Sequence, residues 1–151
     1  MTADSKGRDL FIVDNSISGW TGLKYLEEWT DISKSFDIAT WFFEIGSLLS
    51  LDGKWQNLKK IRILMGSETT HRTRQLLLAV RDRAVEKLDN SIEDNKDKNP
   101  FLNGVEAIQD ALISGKIECR IYDKEKFHAK AYITHAEKEV IGSQALVGSS
   151  N

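Results

Sequence analysis

The strongest constraint on this chain is an alternation between two apolar rhythms. Short apolar runs at Leu10-Phe11-Ile12-Val13, Phe36 to Phe43 and Ile61 to Met65 are each followed by a stretch with helical spacing. A short run bounded by turn residues reads as a buried strand, and apolar positions three and four apart read as one helix face. Leu23, Leu26 and Thr30 follow the first run, with Glu27 and Glu28 on the opposite side. Glu44 to Leu51 predicts a short helix after the second, halted by the turn dipeptide Asp52-Gly53. Leu77, Val80, Ala84 and Leu88 mark a long amphipathic helix after the third. Asp89 to Lys98 is polar and charge-mixed and reads as a frayed helix end or loop. Asn99 then caps a helix whose first turn takes Pro100, whose apolar face is Phe101, Val105, Ile108 and Leu112, and which Gly115 stops. From Lys116 the period becomes two, with Ile117, Cys119 and Ile121 alternating with polar residues, and Phe127 to Ile133 and Ala145 to Val147 predict two more strands. Strand–helix pairs followed by clustered strands predict an α/β layered domain with a mixed, largely parallel sheet flanked by helices.

The chain has 151 residues and 40% apolar content, enough for one core and not for two. We expect a tail over residues 1–8 and a domain over 9–151. The chain stops at Asn151 in a polar turn directly after a strand, which predicts a fragment of a longer protein. Lysine plus arginine is 21 against 23 acidic residues, a formal net charge of −2, so general basicity cannot be what binds nucleic acid. Any anionic partner must meet a local patch. The lone Cys119 excludes an internal disulfide and a thiolate metal cluster, and its place between isoleucines reads as a small core residue. There is no run of about 18 apolar residues and no secretory signal in Met1-Thr2-Ala3-Asp4-Ser5-Lys6, so a cytoplasmic domain without a membrane span is expected.

The chemistry concentrates near the end of the chain. Alternation along Phe127-His128-Ala129-Lys130-Ala131-Tyr132-Ile133 places His128, Lys130 and Tyr132 on one side, and Phe127, Ala129, Ala131 and Ile133 on the other, expected to face the core. An imidazole and an ammonium about 7 Å apart suit a phosphate: one attacks phosphorus or moves a proton, the other neutralises oxygen charge. Alone, the triplet also describes an ordinary exposed strand face. It gains weight from Ala145-Leu146-Val147, a strand running into Gly148-Ser149-Ser150-Asn151, where the glycine admits close backbone approach and the hydroxyls and amide can bind phosphate oxygens.

His128-x-Lys130 followed by Gly148-Ser149-Ser150-Asn151 resembles the signature of the phospholipase D superfamily. The chain from about Leu10 to Asn151 is most similar to the phospholipase D-like domains at the amino ends of some superfamily-two helicases and restriction-type proteins, with Asp37-Ile38-Ala39-Thr40-Trp41-Phe42-Phe43 and Arg62-Ile63-Leu64-Met65-Gly66 matching their early strands in character. The resemblance implies a phospholipase D-like fold and a nuclease-type phosphodiesterase acting on DNA. It implies that His128 is the nucleophile that forms a phosphohistidine, that Lys130 holds a non-bridging oxygen, and that Asn151, supported by Ser149, contacts phosphate. It implies no metal and no cofactor. The common signature has an aspartate five residues after the lysine; here that position is His135. The superfamily builds each site from two motif copies, the second histidine serving as general acid, so one copy implies a homodimer or a second motif in the rest of the chain. A non-catalytic nucleic-acid-binding module and a lipid phosphodiesterase are the alternatives, and the absence of a basic amphipathic helix counts against the second.

Other residues read more plainly. Lys59 to Arg83 holds seven basic residues against Glu68 and Asp82, which fits a solvated helix face better than a nucleic-acid patch. His71 sits among Thr69-Thr70 and Arg72-Thr73-Arg74 at an expected helix start, where anions are favoured. Trp20, Trp29, Trp41 and Trp55 adjoin apolar segments and are expected to pack rather than stack on bases, and His135 is expected to be exposed at a turn.

Overall fold

A computed structural model describes residue 13 and residues 21–86, 100–125 and 128–148, the side chains of 83–86 and 100–104 excepted. The first helix, α1 (Gly22–Asp31), begins where Thr21 accepts a hydrogen bond from the Lys24 amide through its hydroxyl oxygen. It buries Leu26 and Thr30, and the Thr30 hydroxyl is spent on the Leu26 carbonyl 2.6 Å away. Strand β1 (Ser33–Thr40) follows at once, burying Phe36, Ile38 and Thr40 while Asp37 and Ala39 face the other way. The expected strand over Phe36 to Phe43 therefore lies earlier. Thr40 turns its hydroxyl onto the Phe42 carbonyl, the chain bends at Trp41, and Phe43 keeps only an isolated bridge to Thr69.

The helix expected over Glu44 to Leu51 is a single turn, α2 (Gly46–Leu49), followed by turns and a 3₁₀ segment, Trp55–Asn57. The Glu44 carboxylate accepts from the Gly46 amide, and Leu48, Leu51 and Trp55 are buried. Strand β2 (Lys60–Gly66) and helix α3 (His71–Glu86) follow, then α4 (Pro100–Ile113), which stops where Gly115 takes a left-handed φ of 77°. Asn99 and the run Leu10-Phe11-Ile12 lie outside the described residues. Three strands complete the fold: β3 (Ile117–Tyr122), β4 (Lys130–Ala136) and β5 (Ser143–Val147).

The sheet is α/β in character and mixed, in the order β3-β2-β1-β4-β5. β1 and β2, and β2 and β3, pair in parallel, whereas β4 runs antiparallel to both β1 and β5. Four strands thus point one way and β4 opposes them, but the strand pairings divide evenly between the two kinds. Residues opposite one another in register share a face. Phe36, Ile38, Ile61, Ile63, Met65 and Ile117 line one face and form the core with Leu26, Leu48, Leu76 and Ile108, so α1 to α4 all pack on that side. The second face carries Asp37, Ala39, Arg62, Leu64, Glu118, Ile133, His135, Ser143, Ala145 and Val147. Among the described residues, the helices flank only the first face.

Register corrects one expectation about β4. Thr134, Tyr132 and Lys130 stand opposite Phe36, Ile38 and Thr40 and therefore face the helices, while Ala131 and Ile133 occupy the second face. The Tyr132 ring meets the Phe36 ring at 6.5 Å between centroids, and Thr134 is fully buried. The larger aromatic and β-branched side chains fill the core, where the small Ala131 would leave a void.

Candidate active site at the carboxyl end of the sheet

Topology gathers His128, Lys130 and Gly148 at one end of the sheet. The carboxyl ends of β1, β2, β3 and β5 lie at that end, and so does the amino end of β4 because it runs the opposite way. Lys130 opens β4, half-buried, and His128 lies two residues before it, exposed. Gly148 follows β5 directly beside Lys130, its amide donating to the Lys130 carbonyl at 3.1 Å. The His128-x-Lys130 stretch and Gly148 are thus neighbours across one antiparallel pair. Ser149 and Asn151 lie outside the described residues.

Trp41 ties this end together. Its amide donates to the Ala129 carbonyl and its carbonyl accepts from the Gly66 amide, both at 3.0 Å. Its indole lies over Gly66: a Cβ there would fall 2.5 Å from the Trp41 oxygen and 2.9 Å from its ring. Only glycine lets the ends of β1 and β2 approach this closely. In the sequence Trp41 reads simply as a packing residue; the backbone bonds that it makes between β2 and the entrance to β4 leave no mark in composition or spacing.

His71 opens α3 at the same end, and Thr70 caps that helix by accepting from the Thr73 amide. Thr73 in turn accepts from the Ile45 amide, so the loops after β1 and β2 are stitched to each other. The basic stretch from Lys59 to Arg83 does not form one patch. Lys59 pairs with Glu137, Lys60 with Glu118, Arg62 with Asp37 and Arg81 with Asp82. Of the tryptophans, Trp55 is buried in the core, Trp29 packs beside Tyr25, and Trp20 is outside the described residues.

His135 is not at a turn. It lies within β4 on the second face, about one third exposed, and is held on both sides. Its Nε2 is 2.9 Å from Asp37 Oδ2 and its Nδ1 is 2.9 Å from Ser143 Oγ. Arg62 grips the same carboxylate with two nitrogens, its Nε 2.7 Å from Oδ1. Partial burial pushes Asp37 upward, but the bonds and charges of Arg62 and His135 outweigh it and hold the carboxyl below its ordinary 3.8. The sequence hint was alternation alone: Asp37, Arg62 and Ser143 come from three different strands.

Cys119 lines a groove of about 460 Å³ between α3, α4 and β3, together with Leu77, Val80, Leu112 and Ile117. Burial pushes its thiol up to about 11, so it stays protonated and poorly nucleophilic. Among the described residues no group of three His, Cys, Asp or Glu side chains is placed to hold a metal ion, and no helix is long and apolar enough to cross a membrane. No family model matches the chain, and no similar protein is found among curated proteins or solved structures.

Proposed function

We propose that this chain is a metal-independent phosphodiesterase module of the phospholipase D type, acting on DNA and working without a cofactor. The observation that supports the reading is the 3.1 Å bond from the Gly148 amide to the Lys130 carbonyl, which sets Gly148, the first residue of the Gly-Ser-Ser-Asn sequence, beside the histidine–lysine stretch. In this reading a neutral His128 attacks phosphorus, an N–P bond forms and the P–O bond to the leaving oxygen breaks. Lys130 and Asn151, with Ser149 in support, neutralise the charge that grows on the non-bridging oxygens. Water then attacks the phosphohistidine and releases the 5′ or 3′ phosphate. The leaving oxygen needs a proton, and the reading assigns it to a second histidine: that of a homodimer partner or of another motif in a longer chain, such as a helicase or restriction-type protein.

One observation favours a second reading, a non-catalytic module that grips a nucleic-acid backbone. Position 135, five residues after the lysine, points to the opposite sheet face from Lys130 and is engaged by Asp37 and Ser143. One experiment separates the two. Labelled DNA is incubated with the protein in EDTA and both cleavage and binding are scored. The catalytic reading expects cleavage that falls at least ~10³-fold in His128→Ala while binding persists, since loss of a nucleophile costs that order. Binding without cleavage supports the second reading. Firm binding to anionic vesicles with none to DNA sinks both and points to a lipid substrate.

A further inference from the structure

Far from His128, the second face carries side chains in the connectivity of an activated nucleophile. Ser143, His135 and Asp37 come from β5, β4 and β1 and form an unbroken chain of hydrogen bonds, 2.9 Å on each side of the imidazole. We propose that Ser143, His135 and Asp37 form a second site, in which Ser143 is a nucleophile for the acyl group of small activated carboxylic esters.

The protonation pattern follows from the partners. A carboxylate gripped by Arg62 can only accept, so the nitrogen facing Asp37, Nε2, must carry the imidazole hydrogen. In the neutral imidazole that leaves Nδ1 with a lone pair facing Ser143, and the serine hydroxyl then donates to it. This is the arrangement in which a base is ready to take the hydroxyl proton, with a third group fixing its tautomer. Asp37 is here a positioning residue.

Access and charge stabilisation also follow from the fold. Ser143 is exposed, and Ala145 and Val147 continue an open strip along β5, Val147 at 73% exposure. Ala136 donates to Gly142 and Gly148 donates to Lys130, so alternation makes Ser143 and His135 a non-hydrogen-bonded pair. Such pairs bring side chains closest, and they turn the backbone N–H of Ser143 away from β4, towards the side of β5 that among the described residues is the edge of the sheet. There it can donate to the oxygen of a tetrahedral adduct at its own Oγ. Among the described residues the site is a sheet face with no helix over it, which suits it to small acyl groups with good leaving groups. It sits at the opposite end of β5 from Gly148, about 17 Å away at the usual rise per residue.

In the reaction the Ser143 oxygen bonds to the acyl carbon and its proton passes to Nδ1. The bond to the leaving alkoxide or aryloxide breaks as Nδ1 returns that proton to it, and water later releases the carboxylic acid by the same relay. A fluorophosphonate probe, which serine nucleophiles attack at phosphorus with loss of fluoride, tests this on the whole chain. Peptide mapping is expected to find the adduct on Ser143, lost in Ser143→Ala and slowed at least tenfold in His135→Gln. Asp37→Asn is the discriminating variant. Its amide can donate to Nε2, which moves the hydrogen to Nδ1 and removes the base, so labelling fails even where circular dichroism shows an intact fold. Ser143→Cys covers the case in which these variants unfold, because His135 should hasten alkylation of the new thiol by iodoacetamide well beyond that of the half-buried Cys119. His128→Ala should label like the parent, which separates this site from the phosphodiesterase reading. An adduct found only elsewhere, or equal rates in the parent and His135→Gln with no faster alkylation in Ser143→Cys, overturns the proposal.

Discussion

At the scale of single residues, the balance of charge at Asp37 makes the clearest forecast. Its carboxyl sits below 3.8 because Arg62 and His135 outweigh the partial burial. A depressed carboxyl stabilises the fold above its unfolded value, and that stability is lost as pH falls through the folded value. Asp37→Asn should therefore cost about 1–2 kcal/mol at neutral pH, at the low end for charged hydrogen bonds because Arg62 is 60% exposed. Urea titrations should show a deficit at neutral pH that shrinks below about pH 4 as the unfolded carboxyl protonates. A deficit independent of pH would place the cost in packing instead. Gly66→Ala is a steric counterpart. The new Cβ would meet Trp41 backbone at 2.5 Å, which no rotamer can relieve, so a loss of about 1–3 kcal/mol and a change in tryptophan emission are expected. An unchanged melting temperature would mean that the two strand ends are not held this closely.

At the scale of elements, the junction of β4 and β5 carries the phosphodiesterase reading, and it can be weakened without touching a side chain. Gly148→Pro removes the amide that donates to Lys130 at the edge of the sheet. It should cost about 1–2 kcal/mol of stability, because the lost N–H is the one that bonds inward to β4, at the last residue of the pairing. DNA cleavage should nonetheless fall at least tenfold, measured beside a melting curve. Full cleavage in Gly148→Pro would detach the turn from the site. Elements of this kind were legible where period and punctuation agreed. The apolar stripe of α4 and the glycine at 115, and the alternation of β3, marked those elements nearly to their ends. β4 was displaced by three residues because small alanines gave Phe127 to Ile133 a false core face, and the true one rests on Tyr132 and Thr134 meeting β1. β1 was displaced because the aromatic run past Thr40 continues the apolar pattern through a bend. Long-range pairing decided both, and local spacing does not encode it.

At the scale of the whole molecule, the asymmetry of the sheet stands out. One face is packed by helices, while the other holds Ala39, Leu64, Ile133, Ala145 and Val147 beside the ladder from Glu118 through Arg62 and Asp37 to His135. The gathering of strand ends was legible in the sequence only as an order of elements; that β4 runs against β1 and so brings Lys130 to the same end as Gly66 required the fold. The chain holds a single histidine–lysine motif, and the proposed chemistry asks for two histidines. Specific cleavage activity should therefore rise with protein concentration, in step with a monomer–dimer transition seen by light scattering. Activity from a monomer, independent of concentration, would require the proton donor to lie within one copy.

The phosphohistidine at His128 is the heart of the proposed mechanism, and trapping it is the most direct test. The protein is mixed with end-labelled DNA in EDTA, quenched rapidly without acid, and digested for peptide mapping. A phosphoryl–DNA adduct is expected on the histidine of the peptide containing His128, labile in acid and absent in His128→Ala. Cleavage in EDTA with no such adduct, or an adduct that survives in His128→Ala, would contradict the mechanism.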